Sequence, residues 1–224
     1  MAHMTVLHTA EAAKSIYKNN DFEGFTQLGG FFDPKNDDRL GWSKEGDAGG
    51  GSGGIYKYNA GDQQYILAFR GSKGAKDWKV DDVQIGLRLS VDRASACIEY
   101  AKQVKWQYPD AFILVTGHSL GGFLAQWVGL ECDMPFVTYN APPAAGVYRG
   151  LSNVLKFKKG VNLRINWDPV SRIPGHHVGP LITLPHVGVN VFDAHTNGAI
   201  TKSMAQASYR NNVAMAFITR QNMR

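Results

Sequence analysis

The sequence predicts an α/β fold built on a largely parallel sheet, and three observations carry that expectation. Strand-like and helix-like stretches alternate from Ile55 onward, the pattern of strands joined by crossover helices. The run Phe112-Ile113-Leu114-Val115-Thr116 is continuously apolar, as a strand covered on both faces requires. That strand leads through a glycine-flanked turn directly into a helical stretch. The chain has 224 residues, which suits a single domain over 1–224 with a sizeable core.

The elements follow in order. Met1-Ala2-His3-Met4 reads as an appended remnant and is left out of the fold. Ala10–Lys18 is a first helix. Gly46–Gly54 (GDAGGGSGG) is low in complexity and lacks the Gly-Lys-Ser/Thr ending of a phosphate-binding loop. It is expected to be a flexible surface loop. Ile55–Tyr58 and Gln64–Phe69 are strands separated by the turn-like Asn59-Ala60-Gly61-Asp62. Asp92–Tyr108 carries apolar residues at Ala94, Cys97, Ala101, Val104 and Tyr108, a helical face ended by Pro109-Asp110. Phe112–Thr116 is the buried strand and Leu120–Glu131 the helix after it. Pro135–Tyr139 and Val161–Asn166 are further strands. Leu-Ile-Thr-Leu-Pro before His186 is another, and Ser203–Arg220 is a closing helix.

Composition narrows the function. The hydrophobic fraction is 44%, ordinary for a globular protein. No run approaches the roughly 18 apolar residues of a membrane-spanning helix, and no compact apolar run near the N-terminus marks a signal peptide. The formal charge of +5 suits plain solubility or a peripheral anionic membrane surface. Lys156, Lys158 and Lys159 form the only basic cluster, too small to indicate nucleic acid. Cys97 and Cys132 lack zinc-site spacing and cannot build a disulfide framework. Asp77, Asp81 and Asp82 lack a recognised cation-ligand spacing, so a solvated turn is expected and no metal.

The chemistry lies in Gly117-His118-Ser119-Leu120-Gly121-Gly122. This is G-x-S-x-G between a buried strand and a helix, the nucleophile elbow of the α/β-hydrolase fold. The turn lifts the Ser119 hydroxyl off the sheet edge, and the flanking glycines leave room for it. Leu120 opens the helix, where its N–H is free to face an oxyanion. A serine needs a base, and the base an acid; in this fold both come after the serine, acid first. Glu131 and Asp133 lie roughly 15–20 Å along the helix that Ser119 starts. Asp168 follows the strand Val161–Asn166 and precedes Pro169, just past a strand's carboxyl end. His176, His177, His186 and His195 are all downstream histidines, and position alone does not choose among them.

These residues resemble the class 3 lipases, the family of the fungal triacylglycerol lipases, over about residues 55–199. Phe69-Arg70-Gly71-Ser72 is similar to the family's oxyanion loop, and Asp77-Trp78 with Asp82 is similar to the segment after that loop. Tyr108-Pro109 through Gly122 resembles its elbow, and Thr138–Gly146 its next strand and Ala-Pro turn. Arg164 to Val170, with Arg172-Ile173-Pro174, resembles the segment bearing its acid. Asp193-Ala194-His195 falls where the family has its catalytic histidine, whereas His177-Val178-Gly179 resembles a segment that is not catalytic there. The resemblance implies a Ser119, Asp168, His195 triad and an oxyanion hole from the N–H groups of Ser72 and Leu120. It implies hydrolysis of lipid esters, acylglycerol or phospholipid, through an acyl-enzyme and without a cofactor. A short-chain esterase and a non-catalytic lipid-binding module are the alternatives. The sequence departs from the family at Asn140-Ala141-Pro142-Pro143, where Gly-x-Pro-Arg is usual. It departs again at Gln84-Ile85-Gly86-Leu87, where His-x-Gly-Phe is usual. The interval Ser72–Leu89 is short and charged, with an apolar lid expected at Val83–Leu89.

Overall fold

A computed structural model describes residues 4–18, 20–32, 51–61, 63–71, 80–145, 154, 157–186 and 194–206, with backbone alone at 31–32, 51–52, 80–92 and 205–206. The described chain runs α1 (Val6–Ser15), β1 (Phe25–Phe32), β2 (Gly51–Tyr58), β3 (Gln64–Phe69), α2 (Val80–Gln107), β4 (Phe112–His118), α3 (Leu120–Cys132), β5 (Phe136–Tyr139), β6 (Gly160–Ile165), a 3-10 turn (Val170–Arg172), β7 (Leu181–Leu184) and α4 (Asn197–Gln206). Among these residues the strands form one seven-stranded sheet in the order β1 to β7. The first two pairings are antiparallel and the remaining four parallel.

Strand alternation sorts the core into two layers. Ile66, Leu114, Val137 and Leu163 point to one face, against Val6, Ala10 and Ala13 of α1 and Ile200 and Met204 of α4. Leu67, Ile113, Val115 and Phe136 point to the other, against Cys97, Ala101 and Val104 of α2 and Phe123, Leu124 and Val128 of α3. Each fully buried aliphatic side chain stabilises by about 1.5–3 kcal/mol. Parallel strands covered on both sides therefore read as unbroken apolar runs. Each carboxyl end of β3 to β7 then lies along one sheet edge, where sites in open α/β sheets gather.

Several expectations are corrected. Of the stretch Gly46–Gly54 expected as a loop, Gly51–Gly54 is the first half of β2, and residues 46–50 lie outside those described. The glycines are there for closeness: a Cβ on Gly53 would lie 2.8 Å from the Phe69 ring, and one on Gly54 2.9 Å from Ile16. β1 was not expected. Its two central glycines weaken strand propensity, and its register shifts between Gln27 and Gly29. The first helix is Val6–Ser15 rather than Ala10–Lys18. It starts early because Thr5 Oγ1 accepts from His8 N at 3.3 Å while His8 Nδ1 accepts from Thr5 N at 3.1 Å, a reciprocal cap. Met4, expected to lie outside the fold, is 3% exposed and belongs to the core. The helix expected from Asp92 begins at Val80, so the segment Val83–Leu89 expected as a lid is helical backbone continuous with α2. α4 spans Asn197–Gln206, earlier than the helix expected at Ser203–Arg220; residues beyond 206 lie outside those described. Cys97 is fully buried, as an inert packing thiol would be.

Candidate active site

Ser119 sits at the turn from β4 into α3 with φ 57° and ψ −128°, a conformation a serine adopts only under constraint. The constraint is close packing. A side chain on Gly117 would collide with the backbone of Gly121, and one on Gly121 with the backbone at Phe69. Only glycines let the strand, the turn and the next helix approach this closely.

A chain of hydrogen bonds starts from that serine. Ser119 Oγ is 2.9 Å from His195 Nε2, and His195 Nδ1 is 2.7 Å from Asp168 Oδ1. The carboxylate accepts, so Nδ1 carries a proton and Nε2 is left to accept from the serine hydroxyl. Asp168 is fully buried and its other oxygen accepts from Ser171 N at 2.9 Å. It thereby starts the 3-10 turn after β6 and is held in one orientation. His195, rather than His177 or His186, reaches Ser119.

The histidine loop is tied to the sheet edge at two successive carbonyls. Asn140, just past β5, donates from Nδ2 to Ala194 O at 2.7 Å, and its Oδ1 accepts from Ile165 N at 2.8 Å. His118, the last residue of β4, faces His195 O with Nε2 at 2.6 Å, so that nitrogen carries the proton. Burial, reinforced by the neighbouring His195 ring, pushes the His118 pKa down to about 3 and keeps it neutral. Neither tether was expected. The departure from glycine at position 140 was the visible signal, since its φ of 48° is one that asparagine tolerates better than most side chains.

Leu120, the second expected oxyanion donor, is the first residue of α3 and 3% exposed. Ser72, the first, lies outside the described residues. The loop leading to it is anchored: Gly71 N donates to the buried Tyr17 hydroxyl at 3.1 Å. Asp77 also lies outside the described residues, and the side chains of Asp81 and Asp82 do too. His177 is half-buried, with its Nδ1 buried and unpartnered, and burial brings its pKa down to about 4. Among the described residues no group of histidine, cysteine and acidic side chains is arranged to hold a metal ion, and no helix is long and apolar enough to cross a membrane.

The chain is similar to proteins already known. The family model described as Phospholipase-like, Tle-like phospholipase domain, matches residues 8–157. An extracellular phospholipase A1 of Serratia liquefaciens is 36% identical over 96 residues, covering 42% of this chain and 28% of its own. The ATG15 protein of Mycosarcoma maydis is 30% identical over 181 residues, covering 62% of this chain and 33% of its own. This chain thus spans at most about a third of the length of these relatives. Among solved structures, a triacylglycerol lipase from Penicillium expansum aligns with a TM-score of 0.54 at 18% identity, over 84% of this chain and 80% of that one. The LIP2 lipase of Yarrowia lipolytica aligns at 0.53 and 19%, over 84% and 81%. Likeness at that identity shows the fold, which is the α/β-hydrolase fold.

Proposed function

Because the chain belongs to the Tle-like phospholipase domain family, we propose that it hydrolyses acyl esters of lipids with Ser119 as nucleophile, His195 as general base and acid, and Asp168 as the acid that orients His195. The observation that carries this reading is the unbroken run Ser119 Oγ, His195 Nε2, His195 Nδ1, Asp168 Oδ1. His195 takes the hydroxyl proton as Ser119 attacks the ester carbonyl, and a tetrahedral oxyanion forms. The N–H groups of Leu120 and Ser72 stabilise it, the first at the head of α3. The acyl–oxygen bond breaks, and His195 returns the proton to the leaving alcohol. Water, deprotonated by the same histidine, then releases the fatty acid from the acyl-serine. Glycerophospholipid is the favoured substrate, cut at an acyl bond, since the family and the Serratia relative are both named as phospholipases.

The test is hydrolysis of a panel of esters from short to long acyl chains, with a phospholipid included, by the parent and Ser119→Ala. Activity against the phospholipid that falls by about 10⁶-fold in the variant is the expected result, since loss of an activated serine has effects of that order. Unchanged activity in the variant refutes the mechanism. A folded parent that neither hydrolyses the panel nor reacts with a fluorophosphonate leaves a non-catalytic lipid-binding module instead.

A further inference from the structure

Trp167 is the residue immediately before Asp168, and two properties set it apart. It is 60% exposed, and its φ is 74°, a region that bulky residues rarely enter. Strained residues kept on a surface cluster where something binds. One cation is tied to its backbone, and a second lies near the first. Asn166 Oδ1 accepts from Trp167 N at 3.2 Å and from Arg172 Nη2 at 2.7 Å, so one amide ties the indole-bearing backbone to an exposed guanidinium. Arg164, on β6, donates from Nε to Thr183 Oγ1 at 3.0 Å. It lies near enough to Arg172 for the two charges to disfavour each other. Neither arginine makes an ion pair among the described residues. The nearby carboxylate, Asp168, is occupied by His195 and by the backbone of Ser171.

An exposed indole on the segment that carries two guanidinium groups, neither in an ion pair among the described residues, matches the chemistry of a phospholipid surface. Tryptophan settles at headgroup depth, and arginine pairs with phosphate through its planar fork. The patch occupies the same sheet edge as Ser119, and the chain's net charge is +5, of the sign that anionic lipid attracts. We propose that Trp167, Arg164 and Arg172 form a docking surface for a bilayer containing anionic phospholipid, which would bring the bilayer to the edge of the sheet that carries Ser119. The choice of lipid as the partner rests on the hydrolase reading.

The experiment measures sedimentation with vesicles in a Ser119→Ala background, so that no lipid is consumed. Vesicles of phosphatidylcholine alone are compared with vesicles that also contain phosphatidylglycerol. The background protein is expected to bind the second kind and to release in high salt. Adding Trp167→Gly, or Arg164→Gln with Arg172→Gln, is expected to weaken binding about five- to tenfold. Glycine suits a left-handed backbone, so lost binding with an unchanged or raised melting temperature does not reflect unfolding. Trp106 is 85% exposed at the end of α2, on the opposite edge of the sheet, and Trp106→Ala is expected to bind like the background. Equal binding by the Trp167 and arginine variants overturns the proposal, as does an equal loss with Trp106→Ala. A parent that hydrolyses esters but ignores both vesicles defeats the docking surface alone. A parent inert to fluorophosphonate that still sediments defeats the hydrolase reading alone.

Discussion

At the scale of single residues, the side chains named from sequence and the side chains that hold them differ in how they show themselves. Ser119 announces itself because its neighbours must be glycine, and Asp168 because it follows a strand end and precedes proline. His195 could not be separated from His176, His177 and His186 by spacing, and only the resemblance favoured it. A side chain brought in by a loop leaves no periodicity to read. Asn140 left a fainter mark, a non-glycine at a turn where the related family has glycine. Its contribution is testable. Asn140→Gly accommodates φ 48° but releases Ala194 O and Ile165 N. On the proposed mechanism kcat should fall on the order of tenfold, because a reacting group displaced by a fraction of an ångström loses its alignment. KM on a soluble ester should barely move. Asn140→Asp keeps the acceptor for Ile165 and lacks the donor to Ala194, so it should show the same split. A matched fall in kcat and rise in KM would indicate general damage instead.

At the scale of elements, helix and strand identity was legible wherever burial imposes a period or a continuous apolar run, as in α2, α3, β4, β5 and β6. It was illegible in β1 and the first half of β2, because glycine carries no hydrophobic signal even where close packing demands it. The tie between α1 and the sheet was also hidden. The Tyr139 hydroxyl donates to Val6 O at 2.6 Å and lies 2.7 Å from Thr9 Oγ1, all of it buried, over a separation of more than a hundred residues. Tyr139→Phe removes that hydroxyl and leaves Val6 O short of a donor. A loss of about 1–3 kcal/mol is expected, read as a lower urea midpoint at unchanged m-value. An unchanged midpoint would mean that the Thr9 hydroxyl, already 2.8 Å from Val6 O, satisfies the carbonyl alone.

At the scale of the whole molecule, two histidines that burial keeps neutral set a pH limit that no sequence pattern showed. His118 titrates at about 3 in the folded chain and His177 at about 4, against about 6.5 when unfolded. Below pH 6.5 the unfolded chain therefore binds protons that the folded chain refuses. The stability these groups contribute is full above pH 6.5 and is lost as pH falls toward 4 and then 3. Each such histidine steepens the loss by up to about 1.4 kcal/mol per pH unit. His118→Gln, whose amide can still donate to His195 O, should flatten the decline of melting temperature between pH 6 and 4 by roughly one histidine's share. An identical decline in parent and variant would show that His118 has no share in the acid limit.

The strictly sequential order of the sheet bears on how the molecule comes into being. Among the described residues each strand pairs with the one synthesised just before it, so the sheet can be laid down in the direction of translation. On the proposed mechanism, nucleophile and acid emerge with β4 and β6, while the base arrives only after β7. A chain still on the ribosome would carry Ser119 on a growing sheet with nothing to remove its proton. On that mechanism, the chain acquires its activity only when the loop after β7 brings His195 to Ser119.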